Sequence, residues 1–284
     1  MKSAATIKQS ELPNSLRPSD RRLREFAGNW SKVANYALAE ANSLSLERIE
    51  IRLERLAPQL DGFKIIHLSD IHHSPFTSLE HISRAVKIAN RLKPDLFILT
   101  GDYVSHEDKF IAPVAEVLGQ LKAEFGTYAC LGNHDHWTNA DLVTHLFRGE
   151  GIRMLINEGQ RLEARGGSFW IAGLDDHMAG TPNMRAAMKG AFPDEAKLLL
   201  AHNPLVFRQA VRWGIDLVLS GHTHGGQIKI RDDEKRILPR RKLTSGLHQR
   251  KNTQIYITRG IGTVVLPVRY NCPPEISLIE LKCA

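Results

Sequence analysis

Leu219-Ser220-Gly221-His222-Thr223-His224-Gly225-Gly226-Gln227 closes an apolar run that begins at Ile215 and is broken only by Asp216. Such a run reads as a buried strand ending in a glycine turn. Two histidines one residue apart, just past a strand, cannot both follow strand alternation into a core. The flanking glycines let the backbone bend until both imidazoles face one point, and each ring brings a nitrogen lone pair. Shared binding of a metal ion accounts for such a pair. An ordinary polar turn is the competing account, and this stretch alone leaves both open.

Upstream, Lys64 to Leu68, Leu96 to Leu99, Tyr128 to Leu131 and Leu198 to Ala201 are further apolar runs. Between them Ile82, Val86, Ala89 and Leu92 mark one helix face stopped by Pro94; Val114 to Leu121, Leu142 to Phe147 and the segment from Pro204 read as helices. Shorter strands are expected at Arg153–Leu155, Arg161–Glu163 and Phe169–Ala172, and after the histidine turn at Gln227–Ile230, Gln254–Thr258 and Ile276–Leu281. This alternation predicts an α/β layered domain with mixed sheets over residues 61–284.

The informative regularity is what ends each run. The first ends in Ser69-Asp70-Ile71-His72, the second in Thr100-Gly101-Asp102, the third in Gly132-Asn133-His134-Asp135, and the fourth in His202-Asn203. Ligand sites of α/β sheets lie at the carboxyl ends of strands. Singly, Asp70 reads as a helix cap, Asp102 as a turn residue and His202 as a satisfied core histidine. Jointly they supply imidazole, carboxylate and amide ligands without sulfur. That mixture suits late first-row ions such as Mn²⁺, Fe, Zn²⁺ or Co²⁺, and a carboxylate can bridge two of them.

These blocks, Asp70-x-His72, Gly101-Asp102, Gly132-Asn133-His134-Asp135, His202 and Gly221-His222-x-His224, resemble the calcineurin-like metallophosphoesterases across residues 62–281. His224-Gly225-Gly226-Gln227, Arg259-Gly260-Ile261-Gly262 and Pro273-Pro274-Glu275-Ile276 resemble a bacterial subgroup. That subgroup includes membrane-associated phosphoesterases and a UDP-2,3-diacylglucosamine hydrolase of lipid A synthesis. The resemblance implies a four-layer α-β-β-α sandwich, the metallo-dependent phosphatase fold, with metals at loops between its layers. It implies one metal held by Asp70, His72 and His224, a second held by Asn133, His202 and His222, and Asp102 bridging them. Mn²⁺ is the first expectation. A metal-bridging hydroxide would attack phosphorus, His134 would protonate the leaving oxygen, and Asp135 would orient His134.

Bulk properties narrow the rest. With 42% hydrophobic and 24% charged residues, the 284-residue chain has the composition of a soluble globular protein. Cys130, Cys272 and Cys283 are too sparse for a disulfide framework or a thiolate zinc site, and a reducing compartment fits. The net charge of +7 is uneven: residues 1–24 carry +4, residues 229–259 carry +7 and the remainder −4. Local basic patches favour anionic partners. Arg236, Arg240 and Arg241, which come after the histidine turn, are candidates for substrate contact; His73 and His106, beside metal motifs, are further candidates, with a plain surface position the preferred reading for both. Asp175-Asp176-His177 reads as a loop with capping aspartates, Cys130 as core, and Trp137 as a neighbour of substrate.

The first 60 residues form an N-terminal extension. Residues 1–18 read as disordered. Leu23, Phe26, Trp30, Val33 and Ala37 mark a basic amphipathic helix from Ser19 to Ala41, and Ile49, Ile51 and Leu53 an edge strand. The helix either packs on the domain, the preferred reading, or rests on an anionic membrane. No run of about 18 apolar residues predicts a membrane span, and Ser19-Asp20-Arg21-Arg22-Leu23 lacks the apolar stretch of an export signal. A cytoplasmic protein, peripheral to the inner face of the membrane, is therefore expected. The expected substrate is a phosphate ester, lipid-linked or nucleotide-linked, with a phosphodiester or diphosphate bond. UDP-2,3-diacylglucosamine pyrophosphohydrolase is the specific alternative. A basic nucleic-acid-binding module is the non-enzyme alternative. The basic segments lack interleaved aromatics, so no stable nucleic-acid partner is expected.

Overall fold

Residues 32–229 and 243–284 are described by the computed structural model. The apolar runs become strands of two six-stranded sheets. The first holds β1 (Ser45–Leu53), β2 (Phe63–Leu68), β3 (Leu96–Thr100), β4 (Thr127–Cys130), β5 (Arg153–Met154) and β12 (Glu275–Cys283), in the order β1-β12-β2-β3-β4-β5. The second holds β6 (Glu158–Ala164), β7 (Gly167–Gly173), β8 (Lys197–Leu200), β9 (Leu217–Ser220), β10 (Gly246–Arg250) and β11 (Thr253–Ile257), in the order β10-β11-β9-β8-β7-β6. Both are mixed: β2 to β5 run parallel while β12 lies antiparallel to β2, and β7, β8, β9 and β11 run parallel with antiparallel edges β6 and β10.

Helices cover both outer faces. They are α1 (32–41), α2 (Leu79–Arg91), α3 (Ile111–Leu118), α4 (Asn133–Thr138), α5 (Ala140–Gly149), α6 (Met184–Ala187) and α7 (Phe207–Trp213). Strand alternation sorts the apolar side chains into three cores. Ile65, Ile98, Leu198 and Leu217 face between the sheets. Their neighbours Ile66, Leu99 and Phe97 face outward onto α2, α3 and α5, and Leu199 and Val218 onto α6 and α7. Buried on both faces, these strands read as continuous apolar runs. Each fully buried side chain of this kind contributes about 1.5–3 kcal/mol. The result is a four-layer α-β-β-α sandwich.

Ser78 starts α2 by accepting from His81 N at 3.3 Å, and Ile82, Ala85, Val86 and Ala89 form its buried face. The sequence reading differs from the structure in several places. Gln227–Ile230 does not form the expected strand over its described residues. Residues His224–Gly226 curl into a tight turn, Gln227 has φ of 52°, and Ile228 makes one bridge, to Tyr270. β10, α4 and α6 were not anticipated, and α3 starts earlier, at Ile111. β1 lies before residue 61 yet forms the edge of the first sheet by pairing parallel with β12, so that sheet reaches into the segment read as an extension. Of the N-terminal helix, Leu23, Phe26 and Trp30 lie outside the described residues. In α1, Ala37 and Ala41 are buried while Val33 is exposed, and Ala37 O accepts from Arg269 N at 3.0 Å. Among the described residues no helix is long and apolar enough to cross a membrane.

Candidate metal centre

The loops after β2, β3 and β4 meet those after β8 and β9 at one end of the sandwich. Backbone bonds lace them together: Asp70 N donates to Gly101 O at 3.0 Å, His72 N to Asp102 O at 2.9 Å, and Gly221 N to His202 O at 3.0 Å. Asp70, His72, Asp102, His222 and His224 all adopt left-handed backbone conformations, with φ between 48° and 71°. Non-glycine residues held there cost about 1–3 kcal/mol each and gather at functional sites. Five of them in one cluster mark this end of the fold as strained for a purpose. Glycines clear the space: a Cβ on Gly132 would collide with the Asp102 carboxylate, and one on Gly221 with Ser69 and Asp70.

Two groups of ligand atoms result. In the first, Asp70 Oδ1 lies 3.3 Å from His224 Nε2 and 4.0 Å from His72 Nε2, and the two imidazole nitrogens stand 3.1 Å apart. In the second, His222 Nδ1 lies 3.0 Å from Asn133 Oδ1 and 3.3 Å from His202 Nε2. Asp102 Oδ2 is 3.1 Å from His202 Nε2 and 3.5 Å from His72 Nε2, so one carboxylate oxygen stands between the groups. Asp70, His72, Asp102, Asn133, His202 and His224 are all buried. A cluster of buried nitrogen and oxygen donors, turned toward each other and lacking sulfur, fits divalent cations.

The electrostatics agree. Burial lowers His72 to about 3 and depresses His222 and His224, so these rings are neutral and their lone pairs free. His202 differs. Burial disfavours its charge, but the Asp102 carboxylate outweighs burial and lifts it to about 10. The same pairing holds Asp102 far below the usual carboxylate range in spite of burial. His202 Nδ1 donates to Thr100 O at 2.7 Å, which turns Nε2 to the cluster. His72 Nδ1 meets Ser105 Oγ at 3.2 Å.

His134 N donates to Asp102 Oδ1 at 2.8 Å, and its Nδ1 donates to Ser105 O at 3.1 Å. Its ring lies against His72 and Trp137, each with centroids 4.8 Å away. The expectation that Asp135 orients His134 is not met. Asp135 instead accepts from the backbone amides of Asp102 and Tyr103 at 2.8 Å and of Gly132 at 2.9 Å, bolting two loops together. Burial, and then the charge on Asp102, push its carboxyl up to about 7. Asp135→Ala would leave three buried amides without acceptors, and each such loss costs about 1–3 kcal/mol. Chemical denaturation should therefore show a loss of roughly 3 kcal/mol or more; an unchanged midpoint would contradict the bolt.

The His73 side chain is neither at the cluster nor at the surface, whereas Asp175-Asp176, Cys130 and His106 take the capping, core and surface positions expected of them. His73 is buried, with Nδ1 on Thr77 O at 2.9 Å and its ring against Phe110. Asp176 Oδ1 caps Met178 N and Ala179 N, and Asp175 pairs with His136 Nε2 at 2.6 Å. Cys130 is core, and His106 is exposed with its ring centroid 5.5 Å from that of His134. Arg236, Arg240 and Arg241 lie outside the described residues. Sequence reasoning missed Thr100, Ser105 and Arg269, whose backbone or side-chain contacts back the imidazoles; nothing in their local sequence marks them.

A sandwich of this topology with two apposed His/Asp groups at its strand ends defines a class of metal-dependent hydrolases. Residues 63–226 match the calcineurin-like phosphoesterase family, and the chain belongs to it. It is 36% identical over 262 residues to an uncharacterized metallophosphoesterase, YkuE, of Bacillus subtilis, covering 90% of this chain and 91% of that one. It is 33% identical to phosphodiesterase YaeI of Escherichia coli, covering 83% and 88% respectively. Among solved structures, a dimetal phosphatase from Danio rerio is similar with a TM-score of 0.45 and 11% identity, covering 71% of this chain and 88% of that one. The protein is a hydrolase of phosphoesters.

Proposed function

We propose that the chain hydrolyses phosphodiester or diphosphate bonds at a two-cation centre. The carrying observation is the Asp102 oxygen lying 3.1 and 3.5 Å from imidazoles of two separate groups. Asp70, His72 and His224 would hold one cation, Asn133, His202 and His222 the other, and Asp102 both. Mn²⁺ is the preferred ion, with Fe, Zn²⁺ or Co²⁺ as alternatives. Bound cations would supply a water of lowered pKa and neutralise charge on the phosphate oxygens. The protein's own contribution is position and a proton. His134, with Nδ1 donating to the Ser105 carbonyl, has Nε2 left to carry the proton that it delivers to the leaving oxygen. Asp135 acts one step back, fixing the loops that carry Asp102 and Asn133. The E. coli relative, a phosphodiesterase by name, supports the diester reading.

A nucleotide-linked lipid precursor such as UDP-2,3-diacylglucosamine is the specific alternative substrate. Arg236, Arg240 and Arg241 would hold its anionic portion, and the basic N-terminal segment would bring the protein to the inner face of an anionic membrane. Purified Mn²⁺-loaded protein should turn over a diester or diphosphate in a screen that includes monoesters and UDP-diacylglucosamine. No turnover of any of them by fully loaded protein would overturn the hydrolytic reading. Flotation with anionic liposomes tests the membrane reading separately.

Metal uptake should also release a proton. His202 is raised to about 10, so its Nε2 is protonated at neutral pH and a cation must displace that proton. Affinity should therefore rise with pH, by about tenfold per unit below 10 for a single proton. Calorimetry in buffers of differing ionisation enthalpy reads the proton count; zero protons at pH 7 would show that His202 is already neutral before a cation arrives.

A further inference from the structure

We propose that Arg269 is a positioning residue for the first cation group, fixing Asp70 and His224 together through one guanidinium. Arg269 is the largest fully buried side chain among the described residues, at 0% exposure. Among those residues it forms no ion pair with a carboxylate. A buried charge is tolerated only when its donors are used, and here they go to backbone carbonyls. Nε donates to Gly262 O at 3.1 Å, Nη1 to Cys272 O at 3.1 Å, and Nη2 to Arg259 O at 2.8 Å and Gly262 O at 2.5 Å.

Those carbonyls belong to the segments that cradle the first group. The 259–262 loop closes over the Asp70 turn: Ile261 N donates to Ser69 O at 3.0 Å and Gly262 N to Asp70 O at 2.7 Å. Gly260, at φ of 73°, lies so close that an added Cβ would fall 2.6 Å from Asp70 Cβ. On the other side, Cys272 Sγ donates to His224 O at 3.3 Å, and Arg269 Nη2 stands 3.5 Å from His224 Nδ1, behind the ring. One planar fork thus sets both the loop that seats Asp70 and the wall that backs His224. It reaches none of the second group. A lysine has one donor centre and cannot span these carbonyls.

This inference rests on the two-cation reading, and the test separates the two. The probe is Mn²⁺ alone, read by metal analysis and electron paramagnetic resonance, which distinguishes a spin-coupled pair from an isolated ion. Wild-type protein should bind two ions with a coupled signal; if it binds none, the two-cation reading itself fails. Arg269→Lys and Arg269→Gln, if folded by circular dichroism, should retain one ion with an uncoupled signal. The other ion should bind about 10–100-fold more weakly, the range for residues that orient ligands. Two tightly bound ions in either variant, or equal loss of both, would overturn the inference while leaving the two-cation reading intact. Failure of both variants to fold would also overturn it, by assigning Arg269 to the fold.

Discussion

Asp102→Ala should empty both halves of the centre and lower turnover by about a thousandfold or more, since it removes the one anion shared by both cations. Asp102 is the carboxylate whose oxygen faces imidazole nitrogens of both groups. Its Oδ2 faces His202 and His72, and its Oδ1 accepts from the amide of His134. Losing it leaves His202 without the charge that raises it and the His134 turn without its tether. Metal analysis after gel filtration, with circular dichroism to establish folding, checks the point. A folded Asp102→Ala protein that retains two ions would show that each group is self-sufficient. Asp102→Asn keeps the shape and drops the charge, so its deficit should fall between alanine and wild type.

His134→Ala should lower turnover by about 10²–10⁴-fold, the usual contribution of a positioned general acid, while leaving the metal content near wild type. The ring is held on three sides, by the Ser105 carbonyl, His72 and Trp137. It is half-buried, so its free edge can meet a leaving group. One of its ring nitrogens also lies within 4.8 Å of a His72 nitrogen and an Asp102 carboxylate oxygen, which makes a ligand role the rival. Two readouts separate them. Loss of metal in the variant would make it a ligand. A proton donor matters least for leaving groups that need no proton, so the deficit should shrink with an aryl ester of low leaving-group pKa. An equal deficit for aryl and alkyl esters would remove the acid role.

The strands and the polar residues ending them were legible because both arise from local pattern. Leu198-Leu199-Leu200 before His202, or Leu217-Val218-Leu219 before His222, reads as a short strand buried on both faces, and the residues just past its end face the site. Adjacency in sequence misled where direction mattered. Asp135 is next to His134, yet a helical turn sends the two side chains apart, the histidine toward Ser105 and the aspartate back under Gly132. The strand expected at Gln227–Ile230 failed over its described residues because Gly225 and Gly226 take positive φ and carry Gln227 off the strand path. Arg269 and Ser105 were illegible for another reason. Their partners lie 45 and 29 residues away in the chain, and no periodicity encodes such contacts.

The parallel edge pair of the first sheet bears on how the chain is made. β12 lies between β1 and β2, so the two earlier strands have no hydrogen bonds to each other and wait for the last one. On the ribosome, residues 45–53 emerge more than two hundred positions before Glu275–Cys283, the strand they must pair with. Contacts so distant in sequence form late and slowly. The nascent protein therefore carries an open sheet edge through most of its synthesis, and holdase chaperones should capture stalled chains that lack only the final strand.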